Sequence, residues 1–135
     1  GSIEITAILK AFTDVYRDEI SYSINLNVIV DQSSFTRRKI KIKPFEVEHY
    51  DDESSKRKPV KVPALGYKFT YNKKSILYGG DTAYCENIVR LTKGSDLAII
   101  EAGAESESDI THMTFEQAEQ IGETAKEYFL VHIPN

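Results

Sequence analysis

The side chains of this sequence best suited to chemistry are His49, His112 and His132, its three histidines, together with the acids Asp81 and Glu101. His49 and His132, with Asp81 and Glu101, stand where apolar, strand-like stretches end. Strand ends on one edge of a sheet converge in space, so ligands far apart in sequence can surround one site. Imidazole and carboxylate suit zinc and similar divalent ions, and an aspartate can share its two oxygens between neighbouring ions. A two-metal hydrolytic centre is therefore chemically reasonable. Plainer roles are also open to each residue: a satisfied polar group at a strand end for the histidines, a helix-capping surface residue for His112, and a strand-to-helix cap for Gly80-Asp81-Thr82.

The elements that must position these residues are read from hydrophobic period. From Ile3 to about Arg17, Ile5, Ile8, Leu9, Phe12, Val15 and Tyr16 recur at helical spacing and predict an amphipathic helix. Ser21 to Val30 alternates as a half-buried strand does. A turn over Asp31 to Ser34 leads to a second alternating stretch, Thr36 to Lys43, with Arg37, Lys39, Lys41 and Lys43 on a solvated face. Phe45 to His49 reads as a further strand, and Tyr50 to Lys61 as a charged surface loop or hairpin extension. Ala64 to Tyr71 and Lys74 to Tyr78 predict a hairpin about Asn72-Lys73, because asparagine tolerates positive φ. Asp81 or Thr82 can then begin a helix over Tyr84 to Lys93 that Gly94 stops. Asp96 to Glu101 is a strand apolar on both faces. Thr114 caps a helix running to about Tyr128, with Phe115, Ala118, Ile121 and Ala125 buried, and Phe129 to Ile133 is the last strand. The order implies an α+β layered body with a mixed sheet flanked by helices.

Composition bounds the class. A length of 135 residues fits a single domain over 1–135, and 41% hydrophobic with 28% charged residues is ordinary globular usage. A formal charge of −4 gives no overall cationic field for polyanions. No apolar run reaches the roughly 18 residues of a membrane span, and the lone Cys85 suits a reducing compartment, so a cytoplasmic location is expected. Gly1-Ser2 reads as a tag remnant and is set aside.

One ordered set of motifs resembles a known family. Val62-Pro63-Ala64-Leu65-Gly66-Tyr67-Lys68-Phe69, then Ser75-Ile76-Leu77-Tyr78-Gly79-Gly80-Asp81-Thr82, Glu101-Ala102, His112-Met113-Thr114 and His132-Ile133 look like the metallo-β-lactamase superfamily in its ribonuclease Z and arylsulfatase-like branch. The resemblance covers about Pro44 to Ile133 and implies the carboxy-terminal half of an αββα four-layer sandwich. It implies His49 as a private ligand of one metal, His132 of the other, Asp81 as the bridge, and Glu101 with His112 as a proton-handling pair. Zinc is the implied metal, with manganese or iron as alternatives. The implied reaction is hydrolysis of a phosphodiester, ester or lactone by metal-bound hydroxide.

Two departures from the family pattern shape the expectation. The His-x-His-x-Asp-His motif, which supplies two ligands to each metal in the family, is absent from the sequence. The resemblance thus implies that it lies upstream of Ile3 in a parent enzyme, that this chain alone is inert, and that its zinc binding is weak or absent. The chain's partner is then the missing amino-terminal half or a second copy of itself. Between Tyr67 and Gly80 there is only a tight hairpin where ribonuclease Z carries a transfer-RNA arm, so a small-molecule or phosphodiester substrate is expected and transfer RNA is not. The contrasting expectation is a non-catalytic binding or interaction module that keeps the fold.

Overall fold

The computed structural model describes residues 2–16, 19, 21–22, 24, 27–31, 33–51, 60–106 and 109–134. Helix α1 spans Ser2–Val15; strands β1 (Phe35–Arg37), β2 (Ile40–Asp51), β3 (Val60–Tyr71) and β4 (Lys74–Tyr78) follow. Helix α2 (Glu86–Thr92), strand β5 (Leu97–Glu101), helix α3 (Phe115–Gly122) and strand β6 (Tyr128–Val131) complete the chain. The six strands form one sheet in sequential order, β1-β2-β3-β4-β5-β6. β1 to β4 are antiparallel neighbours, whereas β4–β5 and β5–β6 are parallel pairs joined through α2 and α3.

The α+β mixed sheet expected from the sequence is therefore present, with local differences. The alternation read as one strand over Thr36 to Lys43 is a hairpin, because Arg38 and Lys39 adopt φ of 46° and 71° and turn the chain between β1 and β2. The alternation breaks at this turn, where Arg37, Arg38 and Lys39 are charged in succession and Arg38 takes the phase of Ile40 and Ile42. β2 then runs unbroken through Pro44, which the sequence placed between two strands. β1 pairs with β2 only as far as Ile42, so Pro44 lies on a free edge where its missing N–H costs no ladder bond. The described residues of the 21–30 stretch carry no strand, and its remaining residues lie outside the described ones. Most of the charged 50–61 tract lies outside them too, although Tyr50 with Lys61 and Asp51 with Val60 continue the β2–β3 ladder as a hairpin extension. The hairpin at Asn72 and Lys73, with φ of 46° and 63°, is as expected. The last helix ends at Gly122, short of the expected Tyr128, and the last strand begins at Tyr128.

One face of the sheet carries the core. Phe45, Val47, Leu77, Ala98 and Ile100 meet Ile88 of α2 and Ala118 and Ile121 of α3. Phe115, expected on the buried side of α3, is exposed at the first position of the helix, and the buried residues of α3 begin at Ala118. Thr114 and Gln117 close a capping box, so the entry to α3 follows the sequence expectation. By alternation the opposite face bears two cross-strand rows: Phe35, Ile42, Phe69, Ile76 and Leu97, and Pro44, Tyr67, Tyr78, Ile99 and Phe129. No helix among the described residues packs extensively on these rows. α1 likewise leaves Ile5, Ile8, Phe12 and Val15 exposed along the stripe that its periodicity marks as a burying face.

Candidate metal centre

Sheet direction assembles the candidate residues. Pro44, Tyr67, Tyr78, Ile99 and Phe129 lie in register across five strands. β2, β4, β5 and β6 all run the same way across this row, and His49, Asp81, Glu101 and His132 each lie beyond it in that direction. The edge reached by the carboxyl ends of parallel strands is where such sheets bind ligands. His112 arrives at the same edge from the loop between β5 and α3.

The five side chains form a connected series. Glu101 Oε1 lies 3.4 Å from His112 Nδ1. The His112 ring is 5.0 Å from the His132 ring, edge to face, and 6.4 Å from the ring of His49. His132 Nδ1 lies 3.5 Å from Asp81 Oδ1. Ligand atoms of Glu101, His112 and His132 lie within 4.8 Å of one another. His49 and Asp81 adjoin that trio without belonging to it.

Burial divides the group by task. Glu101 is 1% exposed, and its carboxylate accepts three backbone N–H groups: Thr82 and Met113 at 3.1 Å on Oε1, and Gly103 at 2.6 Å on Oε2. With most of its lone pairs so occupied, Glu101 is better suited to tying two loops together, the one after β4 and both ends of the one after β5, than to binding an ion, despite its proximity to the two histidines. Asp81 and His132, by contrast, are each about half exposed. His49 Nδ1 and His112 Nδ1 are buried nitrogens without a hydrogen-bond partner, since the 3.4 Å approach of Glu101 to His112 lacks hydrogen-bond geometry. A buried imidazole nitrogen left unpaired is costly unless a ligand completes it.

Local backbone features serve this placement. Gly79 and Gly80, the latter at φ +68°, take the chain out of β4 towards Asp81. His132 itself sits at φ +58°, so β6 ends abruptly at the candidate ligand. Asp109 accepts Thr111 N–H at 2.7 Å and the Thr111 hydroxyl at 2.6 Å, folding the loop that delivers His112. Burial opposes the charge on Asp109, yet the Thr111 bonds prevail and hold its carboxyl below the ordinary range.

The sequence reading did not isolate two contributors. Gly103 follows Glu101-Ala102, and a Cβ there would lie 3.0 Å from Glu101 Oε2 and 3.1 Å from His112 Nδ1, so a side chain would require one of the pair to give by a few tenths of an ångström. Its position directly after a strand ending in an acid was the available signal. Thr82, expected together with Asp81 as a helix start, is instead buried with its hydroxyl turned towards β2, and α2 begins at Cys85 without a side-chain cap.

A groove of about 880 Å³ lies between α1, residues 27–31 and β3, lined among others by Ile5, Val28, Val30, Val62, Leu65 and Tyr67 and by none of the five candidates. No helix among the described residues is long and apolar enough to cross a membrane.

Comparison with known proteins identifies the family and the fold. The sequence profile of the beta-lactamase superfamily domain matches residues 2–133. Among solved structures, the chain is similar to the metallo-beta-lactamase fold protein YhfI from Bacillus subtilis (20% identity, 79% of this chain and 42% of that one, TM-score 0.64). It is also similar to Zn(2+)-bound PqqB from Methylobacterium extorquens (14%, 94% and 52%, TM-score 0.66). A third likeness is to a diphosphatase from the PhnP family (20%, 92% and 43%, TM-score 0.58). At these identities the likeness is one of fold, and the chain spans 42% to 52% of the three structures. No curated protein matches it.

Proposed function

The chain belongs to the beta-lactamase superfamily, and from that premise we propose that it contributes one side of a dinuclear metal-dependent hydrolytic centre. The observation that carries this reading is the connected series from Asp81 through His132 and His112 to His49 and Glu101, with buried, unpartnered nitrogens on His49 and His112. Nitrogen and carboxylate donors fit zinc, with manganese or iron as alternatives. His49 and His132 would hold one ion each, and Asp81, exposed and free to use both oxygens, would bridge them. When bound, such ions polarise the scissile group and acidify water.

The chain's own residues then have separable tasks. His112 would hand a proton to the leaving oxygen. Glu101, fixed by three N–H donors, stands behind that ring and would orient it. The substrate class proposed is a phosphodiester, ester or lactone. The sequence has no His-x-His-x-Asp-His motif, so the remaining ligands come from outside these residues, and this chain by itself is expected to be inactive. That same absence favours a second reading, a non-catalytic interaction module that keeps the fold.

Calorimetric titration of this chain with zinc, and in parallel with manganese, beside His49→Ala and His132→Ala, separates the readings. Weak binding by the native chain, abolished in both variants, is the expected outcome. Equal affinity in all three proteins would place the metal elsewhere and leave the interaction module as the better account.

A further inference from the structure

Thr82 occupies a position that neither helix capping nor metal ligation explains. Its side chain is fully buried, and its hydroxyl is shared between two segments remote in sequence. Thr82 Oγ1 accepts the Glu48 N–H at 3.1 Å and lies 3.3 Å from Glu48 O and 2.8 Å from Ala83 O, to one of which it donates. The Ala83 N–H donates to Glu48 O at 2.7 Å. On its other side the Thr82 N–H donates to Glu101 Oε1 at 3.1 Å. Thr82, the residue after Asp81, thus joins the residue before His49 and the carboxylate behind His112 in one continuous network of hydrogen bonds.

The loop that carries Asp81 has left the sheet at Gly79 and Gly80, so the ladder cannot fix its distance from β2. We propose that Thr82 is the positioning residue that sets His49 of β2 against Asp81 and the Glu101–His112 pair. Its hydroxyl substitutes for the strand pairing that the loop has given up. A buried hydroxyl that accepts one backbone N–H and donates to a carbonyl can do this from a single rotamer, because its hydrogen turns to suit the partner. Serine would retain the bonds with less packing. Valine, close in shape, would keep the packing, orphan the Glu48 amide and leave its carbonyl with one donor fewer.

The inference rests on the metal-centre reading for its consequence in affinity, but not for its consequence in geometry. Thr82→Val and Thr82→Ser are compared with the native chain by amide hydrogen exchange, by nuclear Overhauser effects between histidine rings without metal, and by zinc calorimetry. In the valine variant the Glu48 amide is expected to exchange at least about tenfold faster and the His49 and His112 rings to move apart, while His112 and His132 stay together. Zinc affinity is expected to fall roughly 10- to 100-fold, the usual penalty for removing a group that orients a ligand. Serine should restore all three properties. An unchanged separation of the His49 and His112 rings in the valine variant overturns the proposal whether or not the chain binds zinc. Absence of zinc binding by the native chain, with those two rings parted in the valine variant, would remove the consequence in affinity and still support Thr82 as the residue that positions His49.

Discussion

Gly103 shows how closely single residues are held at this centre. Its N–H donates to Glu101 Oε2 at 2.6 Å, and the space where a side chain would begin is taken by that oxygen and by the His112 ring. Gly103→Ala must push apart a buried carboxylate anchored by three amides and a ring that packs edge to face on His132. The carboxylate is the less movable partner, since shifting it would strip an acceptor from Thr82 and Met113 as well. His112 is therefore the group that gives way. The variant should stay folded, with a destabilisation of about 1–3 kcal/mol, the range for overpacking a tight interior. The His112 ring should swing away from His132, which ring-proton spectra would detect. A Gly103→Ala protein with an unmoved His112 ring would mean that the loop has slack that the native packing does not show. Thr82 and Gly103 act on opposite sides of Glu101, so their effects should not add independently.

At the scale of elements, the joint between the antiparallel and parallel parts of the sheet depends on Asp96. Its carboxylate accepts Lys126 Nζ at 2.8 Å, Ser75 N–H at 2.9 Å and Lys74 Nζ at 3.1 Å, tying the start of β5 to β4 and to the segment entering β6. The Lys126 ammonium, then the Ser75 amide and the Lys74 ammonium, hold this carboxyl well below the usual aspartate range. A folded-state value below the unfolded one means that the ionised carboxylate stabilises the fold. That contribution is complete above the ordinary aspartate value of about 3.9 and is lost as acidification carries the protein below it. Asp96→Asn should therefore lower Tm at neutral pH, and the gap between variant and native should narrow as pH falls below about 4. A gap independent of pH would show that packing, not charge, is at work. The lysines are largely exposed, so the Ser75 amide should account for most of the effect. This joint was not legible in the sequence, because the partners of Asp96 come from both the preceding and following hairpin and crossover. Two strand ends were legible, since Glu101 closes β5 and His132 follows the last residue of β6, and the glycines before Asp81 announce its departure from β4; His49, read as a strand end, instead lies within β2, paired with Val62 before the strand ends at Asp51. Pattern failed where positive φ at Arg38 and Lys39 turned the chain without glycine or asparagine. It also failed at Thr82, whose hydrogen-bonding competence suits a helix cap as well as an interior tie.

For the whole molecule, the unequal covering of the two sheet faces is the dominant fact. The helix-bearing face is closed, while Ile76, Tyr78 and Phe129 on the other remain 42%, 43% and 62% exposed. Strands apolar on both faces belong between two layers, and an apolar surface of this extent drives association. Since the chain spans about half of the structures it resembles, a second layer from another polypeptide segment is the expected cover. A second copy is the available substitute when this chain is alone. Sedimentation velocity should accordingly show a species that grows from monomer to dimer or larger with concentration. Phe129→Lys places a charge at the β6 end of the exposed apolar row without disturbing the helix-side core, so it should shift that equilibrium towards monomer while leaving Tm within about 2–4 °C of native, the effect of less than 1 kcal/mol in a domain of this size. A native chain that stays monomeric throughout would show that α1 and the segment after it already shield the face in solution. A fall in Tm together with reduced association in Phe129→Lys would instead show that this face helps hold the sheet together.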